Sequence, residues 1–176
     1  EVGIKGLLNK GKMSYDASFF YYKYSNFQTS IPNDDPPPLF LQVDAGNATG
    51  LGFEITVSTN LTEDLNVFGN YSYTDATFDD EDDDGNPQRF AGNRFRLTPE
   101  NAFAIGFDYS VAINDTTSFF FIPTYNWKSQ IYFEDDNDSI LSQDAYGLLN
   151  LRTGVNLGDT QDWEVSLYLQ NALDEE

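Results

Sequence analysis

Along most of this chain apolar and polar residues alternate one by one, the two-residue period of a strand with one oily face and one wet face. Leu51, Phe53, Ile55 and Val57 alternate with Gly50, Gly52, Glu54, Thr56 and Ser58. Phe103, Ile105, Phe107, Tyr109 and Val111 are interleaved with Ala102, Ala104, Gly106, Asp108 and Ser110. Trp163, Val165, Leu167 and Leu169 oppose Glu164, Ser166, Tyr168 and Gln170, and Met13, Tyr15, Ala17, Phe19 and Tyr21 oppose Ser14, Asp16 and Ser18. Eight segments read this way, roughly 1–9, 12–28, 47–59, 65–78, 95–112, 117–133, 146–157 and 163–171. The pattern predicts an all-β chain, an antiparallel meander of about eight strands with almost no helix.

The connections carry a second period. They run short, long, short, long over residues 9–12, 29–46, 60–64, 79–94, 113–116, 134–145 and 158–162. Transmembrane β-barrels have this rhythm, with short turns on the periplasmic side and long loops on the outer side. The aromatic residues obey the same division. Tyr15, Tyr109 and Trp163 lie on the apolar face near the short turns, and Tyr21, Tyr71, Tyr73, Tyr125 and Trp127 lie towards the long loops. A bilayer selects two such bands, because these rings prefer the headgroup level.

Composition narrows the choice further. Aromatics make up 16% of residues while the mean hydropathy is −0.47. That is too polar for one large soluble core and too aromatic for disorder. No run of about 18 apolar residues exists, so no segment reads as a spanning helix, but spanning strands need only short alternation. The net charge is −20, from 9 Lys+Arg against 29 Asp+Glu, and it repels a phosphate backbone, which argues against a nucleic-acid partner. Fourteen of the acidic residues sit in the three long loops. The chain has neither cysteine nor histidine, so disulfides, thiolate metal sites and the usual general base are all missing. Carboxylates are plentiful, but a glycosidase needs two held rigidly in one pocket. No nucleophile elbow or phosphate loop appears, and the chain is expected not to be an enzyme and to need no cofactor. The acidic run places Asp80, Asp82, Asp84 and Gly85 as the first half of a calcium loop, but Ala91 stands where its bidentate glutamate belongs. A solvated acidic loop is the expectation, with Asp80, Asp82 and Asp84 as a weak cation candidate.

Several landmarks, in order, resemble the C-terminal part of the barrel of TonB-dependent outer-membrane receptors. They are DAGNATGLGFEI (44–55), NYSYTDATF (70–78), Arg–Leu–Thr–Pro–Glu–Asn (96–101), YGLLNLRTGV (146–155) and LYLQNALDEE (167–176). The resemblance implies a barrel of about 22 strands around an N-terminal plug, of which residues 1–176 would be a partial barrel domain. The plug, the first half of the barrel and the final strand would lie outside it. Isolated, such strands would form a curved open sheet. No leader opens the chain, and a strand pattern begins at once, as in an excised fragment. The implied function is active uptake of a scarce nutrient, most often a ferric siderophore, across the outer membrane of a Gram-negative bacterium. Its implied partners are membrane lipid, the plug, TonB acting through the N-terminal region, and a metal chelate or other small nutrient.

On this reading Phe40, Phe90, Arg94, Tyr132 and Phe133 lie in the long loops over the mouth, either touching a bulky ligand or facing solvent. Asp16, Glu54, Asp108, Lys128 and Arg152 face inward, against a plug or a wet lumen. Gly50 and Gly52 give room for something packed closely inside, Pro36–Pro38 shape the first long loop, and Pro99 falls early in its strand. Pro123, inside a strand pattern, predicts a bulge or local distortion. Two other architectures fit the strand count: a complete eight-stranded pore or anchor, and a soluble β-sandwich binding module.

Overall fold

The computed structural model describes residues 1–33, 40–160 and 162–175. The strands are β1 (Val2–Leu8), β2 (Met13–Tyr24), β3 (Gln28–Pro32), β4 (Phe40–Asp44), β5 (Ala48–Asn60), β6 (Leu65–Phe78), β7 (Asn101–Asn114), β8 (Thr117–Lys128), β9 (Ile131–Tyr132), β10 (Ser142–Gln143), β11 (Tyr146–Leu157) and β12 (Trp163–Leu169). Eight of them form one antiparallel sheet in the order β1-β2-β5-β6-β7-β8-β11-β12, each beside its neighbour in the meander. Two small hairpins, β3–β4 and β9–β10, stand in long connections. Short turns join β1 to β2, β5 to β6, β7 to β8 and β11 to β12, and the long connections all leave the opposite end.

Register turns the alternation into two continuous faces. One cross-strand row runs Ile4, Ala17, Ile55, Tyr71, Phe103 and Trp127. The next runs Val57, Gly69, Ile105, Tyr125 and Leu149. Ile4, Ile55 and Ile105 in these rows are exposed, Ile105 at 53%, and on the same face at the β12 edge Leu167 is 74% exposed. The opposite face carries rows such as Lys5, Asp16, Thr56, Asn70, Ala104 and Asn126. A β-sandwich would press the oily rows of two sheets together. Here the oily face belongs to a single eight-stranded sheet, and no second large sheet exists among the described residues. The complete eight-stranded barrel is excluded as well, because β1 and β12 sit at opposite edges and do not pair. Unpaired edges of this kind are not tolerated in hydrocarbon.

The inner face is not as open as its glycines predict. The Phe20 ring lies over Gly52 and the Tyr22 ring over Gly50, so a Cβ on Gly50 would stand 2.1 Å from the Tyr22 ring and one on Gly52 2.5 Å from that of Phe20. Phe68 covers Gly106 and Phe120 covers Gly154 in the same way. Each is a directly opposed pair, in which the ring shields a bare stretch of neighbouring backbone. The room expected for a plug at Gly50 and Gly52 is taken by this chain's own rings.

Other departures are local. The second strand stops at Tyr24 because Asn26 adopts a left-handed φ of 56°, and the chain re-enters as the β3–β4 hairpin. The fifth predicted strand begins only at Asn101, after Leu97 at φ 58°, so Pro99 precedes the strand. The strand expected over 117–133 ends at Lys128 and resumes as β9, and β12 ends at Leu169 before Asn171 turns left-handed. Pro123 brings the local distortion expected of it rather than a bulge. Its register with β11 runs on through Leu151, but the ladder to β7 has no pairs between Gly106–Thr124 and Tyr109–Phe121. The Pro123 carbonyl faces Gly106, so the missing N–H falls on the β7 side. The one register shift in that ladder lies between Ala112 and Asn114. The expectation for Pro36–Pro38 lies outside the described residues.

Candidate functional site

The described residues of the three long connections, 25–33 with 40–47, 79–100 and 129–145, are joined to one another at one end of the sheet. Their centre is aromatic. Phe78, the last residue of β6, is 1% exposed and packs with buried Ala45, Ala48 and Phe90 and with Phe27, Ile31 and Phe95. Ring centroids lie 5.6 Å apart for Phe27–Phe78, 5.0 Å for Phe78–Phe95 and 5.4 Å for Phe78–Phe90. Tilted and edge-on ring pairs at these separations add to the area they bury.

Polar clamps surround this centre. The Gln88 amide donates to the carbonyls of Asn47 and Asp79, and its oxygen accepts the Asn47 N–H, tying the second connection to the first. The Asn47 amide also donates to Asp83, at 2.7 Å. Asp135 is 5% exposed, and its carboxylate accepts from the Thr29 hydroxyl and from the Arg96 N–H. The Asp135 carbonyl accepts from Asn93 at 2.9 Å. One residue thus ties all three connections together. Asn137, left-handed at φ 55°, accepts the Arg94 N–H at 2.7 Å and donates to the Arg94 carbonyl at 2.9 Å. Arg94 pairs with Glu100 at 2.8 Å and Arg96 with Glu134 at 3.7 Å. The Glu100 hydrogen bond raises the Arg94 pKa further above its ordinary value.

Gly46 makes the clamp possible. Its φ is +89°, and a Cβ there would stand 1.8 Å from the Gln88 amide oxygen. Gly46→Ala adds backbone strain to the loss of the Gln88 clamp, so it is expected to destabilise the 25–47 connection by about 1–3 kcal/mol. Hydrogen exchange over residues 40–47 checks this. Exchange no faster than in the parent would contradict it.

The expected site residues are distributed unevenly over this assembly. Phe40 is 61% exposed and Phe133 43% exposed, at the surface of the loops. Tyr132 is half-buried in β9, and its carbonyl accepts the Leu97 N–H at 2.8 Å. Arg94 is held by Glu100 as described. Phe90 must be corrected: at 6% exposed it belongs to the loop core and offers no ring to the mouth. On the inner face Arg152 pairs with Glu164 at 2.7 Å and lies 5.0 Å over the Phe120 ring and 5.4 Å over that of Tyr168. Lys128 lies 4.8 Å over Tyr146, Asp108 accepts from Ser110 at 2.8 Å, and Asp16 and Glu54 stand exposed on the same face.

The acidic run is a turn. Asp82 accepts from the Asp84 N–H at 2.9 Å and the Asn86 N–H at 2.8 Å, and the Asn86 hydrogen bonds hold its carboxyl below the usual carboxylate range. Asp79 is occupied by Thr49 at 2.7 Å. Among the described residues no group of three metal-ligating side chains converges. Gln88, Asp135, Asn137 and Thr29 were invisible to sequence reasoning, since nothing local marks them.

A one-sided apolar wall with its long loops fused at one end defines a class of membrane protein. The sequence matches the family described as TonB dependent receptor-like, beta-barrel over residues 1–172, and the chain belongs to that family. It is therefore an outer-membrane protein of the Gram-negative type, in a family of transport receptors rather than enzymes. Over 76 residues it is 36% identical to the metal-pseudopaline receptor CntO of Pseudomonas aeruginosa, covering 43% of this chain and 10% of that receptor. The fold is similar to that of the ferric yersiniabactin uptake receptor FyuA from Yersinia pestis (TM-score 0.77, 18% identity), covering 98% of this chain and 24% of FyuA. It is similar also to BauA, the ferric preacinetobactin receptor from Acinetobacter baumannii (TM-score 0.70, 19% identity, 98% of this chain and 24% of BauA). The chain thus spans about a quarter of each structural relative and a tenth of the sequence relative.

Proposed function

We propose that the protein to which this chain contributes is an active-transport receptor for a metal complex, most simply a ferric siderophore, energised by TonB. In this reading residues 1–176 are part of a larger closed barrel that also has a plug and further strands. The apolar face meets lipid, and the polar face meets the plug or water. The observation that carries the reading is the fusion of three long loops into one assembly at a single end of a one-sided wall. A receptor that must recognise cargo outside the cell needs such a preformed surface, because ordering loops at the moment of binding would consume affinity. The printed names of the relatives, metal-pseudopaline and ferric yersiniabactin receptors, support a metal complex as cargo. Phe40, Tyr132 and Phe133 are the loop residues best placed to touch it.

The experiment is uptake of radiolabelled ferric complexes by cells carrying or lacking the full-length gene, with and without TonB. Accumulation that requires both is expected. Accumulation independent of TonB would contradict active transport.

A further inference from the structure

Three rings line the inner wall below the loops. Phe20 and Tyr22 lie on Gly52 and Gly50, with centroids 6.0 Å apart and planes within 13°. Residues two apart on one strand face are separated by about that distance, so the rings form a flat, side-by-side tile. Both rings are half-buried, each lying over the glycine opposite it on β5. Tyr24, 47% exposed, meets Tyr22 edge-on at 5.2 Å and reaches Phe27 at 5.7 Å and Phe95 at 6.4 Å. The tile therefore continues without a break into the aromatic centre of the loops.

The charge above it is one-sided. Among the described residues, connections 25–47, 79–100 and 129–145 hold thirteen acidic residues against three arginines. Two of those arginines are in ion pairs, with Glu100 and Glu134, and the third, Arg89, lies 5.5 Å from the Phe90 ring centroid. An aromatic face carries a negative quadrupole and attracts cations. A negative rim over negative ring faces is complementary to positive charge and repels polyanions.

We propose that Phe20, Tyr22 and Tyr24 form a stacking subsite for a cationic organic group borne by the transported metal complex. The mouth then takes cationic complexes in preference to neutral ones and turns away polyanionic ones. Gly50 and Gly52 are part of the subsite, since only glycine lets the rings lie flat. The proposal rests on the transport reading above and adds to it the charge class of the cargo.

The test uses the full-length receptor in detergent and three gallium(III) complexes: a tris-hydroxamate bearing a free primary amine, the same complex acetylated on that amine, and a triply anionic tris-catecholate. Equilibrium dialysis of radiogallium reads affinity. The amine-bearing complex is expected to bind best, and the tris-catecholate not to bind. Tyr22→Leu should weaken the amine-bearing complex by about tenfold and the acetylated one by less than about twofold, whereas Tyr22→Phe keeps the ring face and should stay close to the parent. Gly50→Ala, which lifts the Tyr22 ring, should reproduce the loss and serves if Tyr22→Leu does not fold. Equal losses for both hydroxamates, no loss, or tight binding of the tris-catecholate would each overturn the subsite while leaving the transport reading intact. Failure of all three complexes to bind would instead overturn the reading of the cargo as a metal complex.

Discussion

Ile105→Arg is expected to destabilise the full-length receptor in lipid by about 2–4 kcal/mol, the effect of a guanidinium near the bilayer midplane on the lipid side of a barrel. Ile105 is the fifth residue of β7, opposite Tyr125 and on the apolar face between Phe103 and Tyr109, and its side chain is 53% exposed. The matched control is Asn126→Arg, on the polar face and exposed, which is expected to stay within about 0.5 kcal/mol of the parent. Denaturant titration of folded receptor in liposomes reads both. Equal effects at the two positions would mean that the faces are not in different solvents.

Asp135→Ala is the second large effect, and it falls on the loops alone. The substitution leaves the Thr29 hydroxyl and the Arg96 N–H without their shared acceptor in a buried setting. An unsatisfied buried donor costs about 1–3 kcal/mol, so amide exchange over 25–47 and 129–145 should accelerate by about tenfold or more. Exchange in β5, β6 and β7 should not change, because their ladders do not include Asp135. Asp135→Asn keeps an acceptor oxygen and should recover part of the protection. Acceleration confined to residues next to 135, with 25–47 unaffected, would show that the three loops are not joined there.

The wall was legible in the sequence because its information is local. Alternation at Leu51–Val57 and Phe103–Val111 is read within one strand, and a sheet solvated differently on its two sides requires it. The order of short and long connections needed only counting. The loop assembly was illegible because its contacts join residues far apart, with Thr29 and Asp135 separated by 106 positions and Asn47 and Gln88 by 41. Phe90 shows the consequence: an aromatic residue in an acidic loop reads as surface until its partner Phe78 is known. Gly50 and Gly52 read as room for something packed closely inside, and that room is filled by rings of this chain. Their covering rings, Phe20 and Tyr22, lie on the neighbouring strand, in the row opposite the oily one. At Pro123 the lost N–H interrupts one ladder while the other holds the register, so no extra residue is inserted.

The central claim is that one face of this sheet touches lipid. The chain has no cysteine of its own, so single cysteines in a cysteine-free receptor can carry nitroxide labels along β7. In liposomes, labels at Phe103, Ile105 and Phe107 should be relaxed strongly by oxygen, which concentrates in the bilayer, and weakly by a water-soluble nickel chelate. Labels at Ala102, Ala104 and Asp108 should not share that oxygen response. A two-residue oscillation in phase with the apolar row is the predicted result. Oxygen accessibility with no such period, or nickel access at Ile105 equal to that of an exposed loop, would contradict the account.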